Sequence, residues 1–172
     1  SASTTIFMPN LNTVDSNEDA ARFRGELDLA SLSKRFHNHS EHVRKRPATD
    51  KEAKVFDRLE IARLEVLALE SGMRGLSHNL STRIKKQLEQ DGVGHVSETP
   101  WGEVLAGLLR QSVTGELLPE PLERHTSRVR PQIEKQSQSI LESLKTAVHS
   151  QAQFAELTRE LIASLGGLEA GS

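Results

Sequence analysis

Apolar residues recur every three or four positions along most of this chain, a spacing that places side chains on one face of an α-helix. The clearest series, with an apolar residue at every fourth position, is Leu76, Leu80, Ile84 and Leu88. The stretch from Thr4 to Asn12 has extended character, but no succession of strands follows it. The spacing predicts an all-α fold, a single helical bundle of five to six helices with a possible short extended N-terminal arm.

Capping residues and prolines predict where the helices begin and end. A capping box at Ser16 predicts a first helix that runs to Arg46, where Pro47 stops it. A second capping box, Thr49 with Glu52, opens a helix that ends near Gly72. These boundaries and the end of the last apolar stripe divide the chain into three parts. They are an N-terminal arm or vector-derived residues (1–15), a helical domain (16–166) and the start of a linker or a truncation (167–172).

The second half of the chain carries further helix signals. Thr99 followed by Pro100 predicts a helix that ends at Gly115, and a linker follows at 119–121. An apolar stripe over 133–148 predicts one helix, and a last helix ends at the glycines 166–167.

Composition excludes several classes of function. The chain contains no cysteine, so it has no disulfides, thiolate zinc sites or cysteine nucleophiles, and we expect a cytoplasmic protein. The formal net charge is -2 and aromatic residues make up 3%, so no nucleic acid partner is expected. The longest apolar stretches, 66–69 and 104–109, are far below the roughly 20 residues that cross a bilayer, so no membrane partner is expected.

Three histidines, His37, His39 and His42, lie close together in the sequence, and imidazole is a common metal ligand. On one continuous helix His37 and His39 point roughly 200° apart, and only His39 and His42 share a face. Because catalytic zinc normally needs three protein ligands, this spacing favours a solvated helix end. A small metal carrier that uses His39 and His42 is the weaker alternative, and we assign no metal site.

A basic stretch, Arg44, Lys45 and Arg46, lies within a segment (34–54) that holds seven Lys or Arg and three Asp or Glu. It is a candidate partner-binding patch for an acidic surface. The alternative is structural, because cations at a helix C-terminus complement the negative end of the macrodipole.

Arg63 lies on the apolar side of its helix, between Leu59 and Phe56. A guanidinium in that position either reaches past its neighbours to water or is held by a carboxylate. The candidate carboxylates are Glu60 on the same helix, which would make a structural ion pair Glu60–Arg63, and Glu26 or Asp28 on the first helix.

Motifs that would give the chain a chemistry of its own are absent from the sequence. There is no G-x-x-x-x-G-K-[ST] loop for a nucleotide, no H-E-x-x-H helix for zinc and no D-x-S-x-S run for magnesium. We therefore predict no catalytic residue and no cofactor-binding residue in this chain.

Several segments resemble, in order and spacing, the N-terminal region of the aerobic cobaltochelatase subunit CobT. They cover 24–28, 55–65, 73–80, 108–115 and 154–162. The resemblance spans about 22–165 and implies a role in cobalamin biosynthesis, the ATP-dependent insertion of cobalt into hydrogenobyrinic acid a,c-diamide. It implies two partners, an AAA+ S subunit that hydrolyses ATP and a large N subunit that carries the corrin and the metal.

The resemblance implies that the enzyme complex is a ligase that forms nitrogen–metal bonds and uses ATP, magnesium and cobalt. It implies that this chain is a non-catalytic assembly domain of that complex. The magnesium-binding von Willebrand A-like domain of that family follows an acidic linker, and neither is present in this sequence. A free-standing helical interaction or regulatory protein, similar to the T subunit but without chelatase activity, is the alternative.

Overall fold

A computed structural model describes residues 17–72 and 98–168 of the 172-residue chain. Within these two ranges the backbone forms seven helices and no strand. The helices are α1 (Asn17–Phe36), α2 (His39–Lys45), α3 (Asp50–Glu70), α4 (Trp101–Thr114), α5 (Glu120–Gln136), α6 (Gln138–Thr146) and α7 (Gln151–Ser164). None of them is both long and apolar enough to span a bilayer. The predicted all-α class is confirmed.

The count of five to six helices is too low, because two predicted helices are each divided. The first breaks at 37–38, where the side chain of Asn38 accepts a hydrogen bond from the Glu41 N–H at 3.0 Å and starts α2. The stripe over 133–148 breaks at Ser137, whose φ of -140° lies outside the helical region. The proposed arm over 1–15 and the predicted helix over 76–88 lie outside the described residues.

The predicted ends of α3 are confirmed. Thr49 Oγ1 accepts from the Glu52 N–H at 3.4 Å and donates to Glu52 Oε2 at 2.7 Å, which satisfies an N–H that the helix leaves unpaired. At the other end Gly72 has a φ of +72°, a conformation that glycine adopts without steric cost. Helix α3 therefore begins and ends on local signals alone.

Pro100 and Pro121 occupy positions relative to their helices that differ from the predicted ones. Pro100 is the N-cap of α4 and not its first residue, and the predicted cap Thr99 lies one position earlier. The expected linker over 119–121 is only partly a linker, since α5 begins at Glu120 with Pro121 in its first turn. Proline fits there because the first turn of a helix needs no N–H donor.

Helix α3 lies at the centre of the domain, and twelve of its residues are buried. On one side Leu64 and Ala68 pack with Leu32 of α1 in a small apolar cluster. On the other sides α3 contributes to the main core, which extends through α4, α5, α6 and α7. Helix α4 begins beside the first half of α3, where a Cβ on Gly102 would lie 3.2 Å from Arg58 Cβ.

Helix α7 closes the core at its C-terminal end. Gly166 and Gly167 both have positive φ, and the Gly167 N–H donates to the carbonyl of Ile162 at 3.2 Å. The predicted helix stop at these glycines is confirmed. Leu168, 1% exposed, returns to the main core after the turn.

Candidate functional site

The buried charges of helix α3 are the most unusual polar feature of the described residues. Glu60, Arg63 and Glu65 are 5%, 2% and 2% exposed. A buried charge is strongly destabilising unless it is paired and hydrogen-bonded, so the partners of these three side chains indicate what they do.

Arg63 joins three parts of the domain. Its Nε and Nη2 donate to the two carboxylate oxygens of Glu60 at 2.7 and 2.9 Å. Nη2 also donates to the backbone oxygen of Phe36 at 2.8 Å, and Nη1 donates to that of Val148 at 3.0 Å. Phe36 ends α1 and Val148 follows α6, so one guanidinium holds both of these segments against α3. The side chains of Glu26 and Asp28, the other candidate partners, are outside the description.

Glu60 has a second partner, because His37 Nδ1 lies 2.6 Å from its Oε2. Burial acts to raise the pKa of the Glu60 carboxyl, but the hydrogen bonds from His37 and Arg63 outweigh it and hold the pKa below its ordinary value. Glu60 is therefore an anion at neutral pH, and its charge is balanced inside the protein.

Arg58, with 11% of its side chain exposed, forms a second group of charges on α3. Its Nη1 donates to Glu65 Oε1 at 2.7 Å, and its Nε donates to Glu103 Oε1 of α4 at 2.8 Å. Burial works against the charged form, but the two carboxylates outweigh it and raise the pKa of the Arg58 guanidinium. One cation between two anions thus links α3 to α4.

A third group ties α2 to α3 at the surface. Arg46 donates from Nε and Nη2 to the two oxygens of Asp57 at 2.9 and 2.8 Å, and His42 Nε2 lies 2.7 Å from Asp57 Oδ1. Partial burial acts to raise the pKa of the Asp57 carboxyl, but the hydrogen bonds from His42 and Arg46 lower it overall. The hydrogen bond and charge of Asp57 raise the pKa of Arg46 in return.

The other two cations of the basic stretch are also paired within the chain. Arg44 Nη2 donates to Glu41 on the same helix at 2.5 Å, and Lys45 forms an ion pair with Glu156 of α7. Arg159 of α7 donates to the backbone oxygen of Lys45 at 2.7 Å. Lys45 and Arg46 therefore hold α2 in place, while Arg44, with 66% of its side chain exposed, pairs with Glu41 on its own helix.

The three histidines lie closer together than a continuous helix allows. The ring centroids of His37 and His42 are 5.1 Å apart, and those of His37 and His39 are 6.4 Å apart. The prediction that His37 and His39 point apart was wrong, because α1 ends at Phe36 and α2 begins at His39. Even so, no group of three or more His, Asp or Glu in the described ranges has an arrangement that could hold a metal ion.

A cleft on the surface also brings several charged side chains together. This cleft of about 620 Å³ lies where α3 and α4 begin. Its charged lining residues are three cations and three carboxylates, Lys51, Lys54, Arg58, Asp50, Glu98 and Glu103. The cleft is lined by equal numbers of positive and negative side chains, so it has no single electrostatic preference for an anion or a cation.

Sequence reasoning missed the Arg58 and Asp57 groups. Arg58 and Glu65 are seven residues apart, two helical turns, which is a signal that the sequence carries. The contact of Arg58 with Glu103 joins two helices, and nothing in the sequence near either residue indicates it.

The described residues form a helical domain in which buried Arg63 hydrogen-bonds two neighbouring segments and the part-buried Arg58–Glu103 ion pair connects two helices. The chain belongs to the CobT family, since the family model described as cobalamin biosynthesis protein CobT matches residues 1–171. No solved structure matches the chain significantly. The family match agrees with the resemblance found in the sequence and supports a role in cobalamin biosynthesis.

Proposed function

We propose that this chain is a non-catalytic assembly domain of the T subunit of ATP-dependent aerobic cobaltochelatase. That enzyme inserts cobalt into hydrogenobyrinic acid a,c-diamide, and cobalt is its substrate and not a cofactor held by this chain. The observation that carries the proposal is the CobT family match over residues 1–171.

The internal use of the buried charges supports a structural role. Arg63 donates to Glu60 and to two backbone oxygens, and Arg58 donates to carboxylates on two helices. Arg63 and Glu60 are buried with these partners and fix helix positions. Arg58 also connects two helices, although it lines the surface cleft where α3 and α4 begin. Surfaces for partners are then provided by the exposed faces of the helices and by the loops between them.

We propose two partners within the chelatase, the AAA+ S subunit and the large N subunit. In this arrangement the S subunit uses ATP and magnesium, the N subunit holds the corrin and cobalt, and the present domain helps to hold the complex together in the cytoplasm. The basic stretch 44–46 stays a candidate contact, with Arg44 as its most accessible member.

Reconstitution with purified subunits tests the proposal. We expect the 172-residue chain to bind the S subunit or the N subunit in calorimetry, and to show neither ATP hydrolysis nor cobalt insertion alone. Added in excess to an active complex, it should compete with the full-length T subunit and reduce cobalt insertion as its concentration rises.

Two outcomes would contradict the proposal. Cobalt insertion or ATP hydrolysis by the chain, after contaminating subunits have been removed, would show that it is catalytic. Failure to bind either subunit would show that it is not an assembly domain and would favour the free-standing alternative.

A further inference from the structure

The turn that follows α7 contains an uncommon backbone conformation. Gly166, Gly167 and Leu168 have φ values of +66°, +67° and +71°, and within 17–72 and 98–168 no other non-glycine residue has a positive φ. Glycine adopts this conformation freely, whereas the Cβ of a leucine meets the neighbouring backbone, so Leu168 is strained. Strain of this kind persists only where other contacts hold it in place.

The end of α7 does not require this strain. The Gly166 N–H donates to the carbonyl of Ala163 at 3.0 Å, and the Gly167 N–H donates to that of Ile162 at 3.2 Å. The two glycines therefore complete the helix cap, and the cap needs no third residue in the left-handed region. The reason for the conformation of Leu168 lies in its side chain.

The side chain of Leu168 is 1% exposed and lies where the surface cleft meets the core. Leu168 lines the cleft at the starts of α3 and α4 together with Val55 and Trp101, and all three residues belong to the main core. Leu168 is therefore part of the wall between the cleft and the core. Its burial is the contribution that opposes the backbone strain.

The turn also lies against the first turn of α3. A Cβ on Gly167 would lie 3.4 Å from Glu52 Oε1, and the other oxygen of this carboxylate accepts from Thr49 in the capping box of α3. The turn 166–168 thus runs from the end of α7, past the start of α3, to the cleft. We refer to 166–168 as the strap.

Two opposing contributions act on Leu168. Removal of its side chain from water favours the observed position, and the left-handed backbone disfavours it. Because the strain offsets part of the gain from burial, withdrawing Leu168 costs less than withdrawing an unstrained core leucine. The strap can therefore open while the helices remain folded.

We propose that the strap is a conformational device that closes and opens the cleft at the starts of α3 and α4. In the closed state, which is the observed one, Leu168 covers the core beside Trp101. In the open state Leu168 leaves the wall, its backbone strain is released, and the cleft extends into the core. A ligand that needs the space of Leu168 binds only the open state. The device is a property of this chain alone and does not depend on the proposed assembly role.

Trp101 reports on the strap, because it is the only tryptophan of the chain, lines the same cleft and is 4% exposed. The test measures quenching of its fluorescence by acrylamide in the 172-residue wild type and in Leu168→Ala, at denaturant-free conditions where both are folded by circular dichroism. We expect Leu168→Ala to raise the quenching constant severalfold and to shift the emission to longer wavelength.

Leu161→Ala is the matched control for this measurement. It removes the same atoms from a core leucine of α7 that is 0% exposed and lies outside the lining of the cleft. It should lower the global stability, as the loss of core contacts requires, and leave the quenching of Trp101 as in the wild type.

Leu168→Gly tests the strain. Glycine adopts the same φ without steric cost, so Leu168→Gly should be more stable than Leu168→Ala in chemical denaturation. This is the reverse of the usual order, because glycine ordinarily loses more backbone entropy on folding than alanine does.

Hydrogen exchange of the wild type tests the opening without any variant. The amides of Gly167 and Leu168, which donate to Ile162 and Leu165, should exchange through a local opening whose rate depends little on low denaturant. The central amides of α3 should exchange only with global unfolding.

Four results would overturn the proposal. Unchanged quenching in Leu168→Ala would show that Leu168 does not cover Trp101, and equal increases in Leu168→Ala and Leu161→Ala would show a loosened core in place of a strap. A Leu168→Ala variant at least as stable as Leu168→Gly would show that the turn is not strained. Exchange of the strap amides only with global unfolding would show that the strap does not open.

Discussion

Arg63 Nη2 on α3 donates to the backbone oxygen of Phe36, the last residue of α1, at 2.8 Å. The last carbonyls of a helix lack partners within it, and the C-terminal end carries partial negative charge. The Arg63 guanidinium donates a hydrogen bond to one of these carbonyls and also places a positive charge at the negative end of the helix. Because the same group also binds Glu60 and the Val148 carbonyl, the end of α1 is fixed relative to α3 and to the turn before α7.

Arg63→Ala should destabilise the domain by about 3–5 kcal/mol, because it leaves the buried Glu60 carboxylate without its bidentate partner. The measurement is chemical denaturation at pH 7. Arg124→Ala, in which a largely exposed pair 3.8 Å apart is removed, serves as control and should cost about 1 kcal/mol or less. Equal midpoints for the two variants would show that the Arg63 group contributes no more than a surface pair.

Arg63→Lys should not restore the lost stability. Lysine carries the charge, but a single ammonium group cannot donate to both Glu60 oxygens and to two backbone carbonyls in the planar arrangement that the guanidinium provides. Denaturation of Arg63→Lys beside Arg63→Ala separates the contribution of charge from that of geometry. A lysine variant as stable as the wild type would contradict this account.

Acid should destabilise the domain through Glu60 and Asp57. Both carboxyls have pKa values below their ordinary 4.5 and 3.8, so the folded state binds protons less readily than the unfolded chain. Their contribution is fully present above the ordinary values and is lost as the pH falls through the lowered ones. Unfolding midpoints measured from about pH 7 to about pH 3 should therefore fall in the acid range.

Glu60→Gln tests how much of the loss of stability in acid is due to the Glu60 carboxylate. The variant should be less stable at pH 7, because Arg63 loses its anion, and its stability should decrease less between pH 7 and the acid range. If the variant loses as much stability as the wild type between pH 7 and the acid range, other carboxylates are responsible for the loss.

The sequence predicted most helices and several of their ends, because these depend on neighbouring residues. Thr49 with Glu52, Gly115 and the glycines 166–167 all end or begin helices where their chemistry indicates. The break at 37–38 was missed. Asn38 starts α2 with its side chain, and its backbone groups bind the amide of Gln151 on α7, a contact across 113 positions.

Part of the candidate site could also be predicted from the sequence, because it depends on residues that are neighbours in the chain. The sequence places the charge of Arg63 on an apolar helix face, and Glu60 lies one turn away on the same helix. The two carbonyls that Arg63 also binds belong to distant segments, and a backbone oxygen has no sequence signature. The imidazole of His37 reaches Glu60 only because the helix breaks beside it.

Asn38→Ala should cost about 1 kcal/mol, the usual contribution of an N-cap side chain. The mutation removes the acceptor for the Glu41 N–H and leaves the backbone bonds to Gln151 intact. Asn38→Asp keeps an acceptor and should retain most of the stability. Chemical denaturation of both variants checks this, and equal losses would show that the cap does not hold the start of α2.

Arg44 allows the basic stretch to be tested as a partner contact without disturbing the fold. Reversing all three charges would break the ion pairs of Lys45 with Glu156 and of Arg46 with Asp57, so lost binding could not be distinguished from a displaced α2. Arg44 pairs with Glu41 on its own helix, and 66% of its side chain is exposed. If the stretch docks on an acidic surface, Arg44→Glu should slow association with the S or N subunit and weaken the dependence of the association rate on salt. The unfolding midpoint should change little.

Arg124→Glu, an exposed charge reversal on α5, is the matched control. Association rates equal to the wild type at low salt would remove Arg44 as a contact and leave the basic stretch with the structural role that Lys45 and Arg46 have.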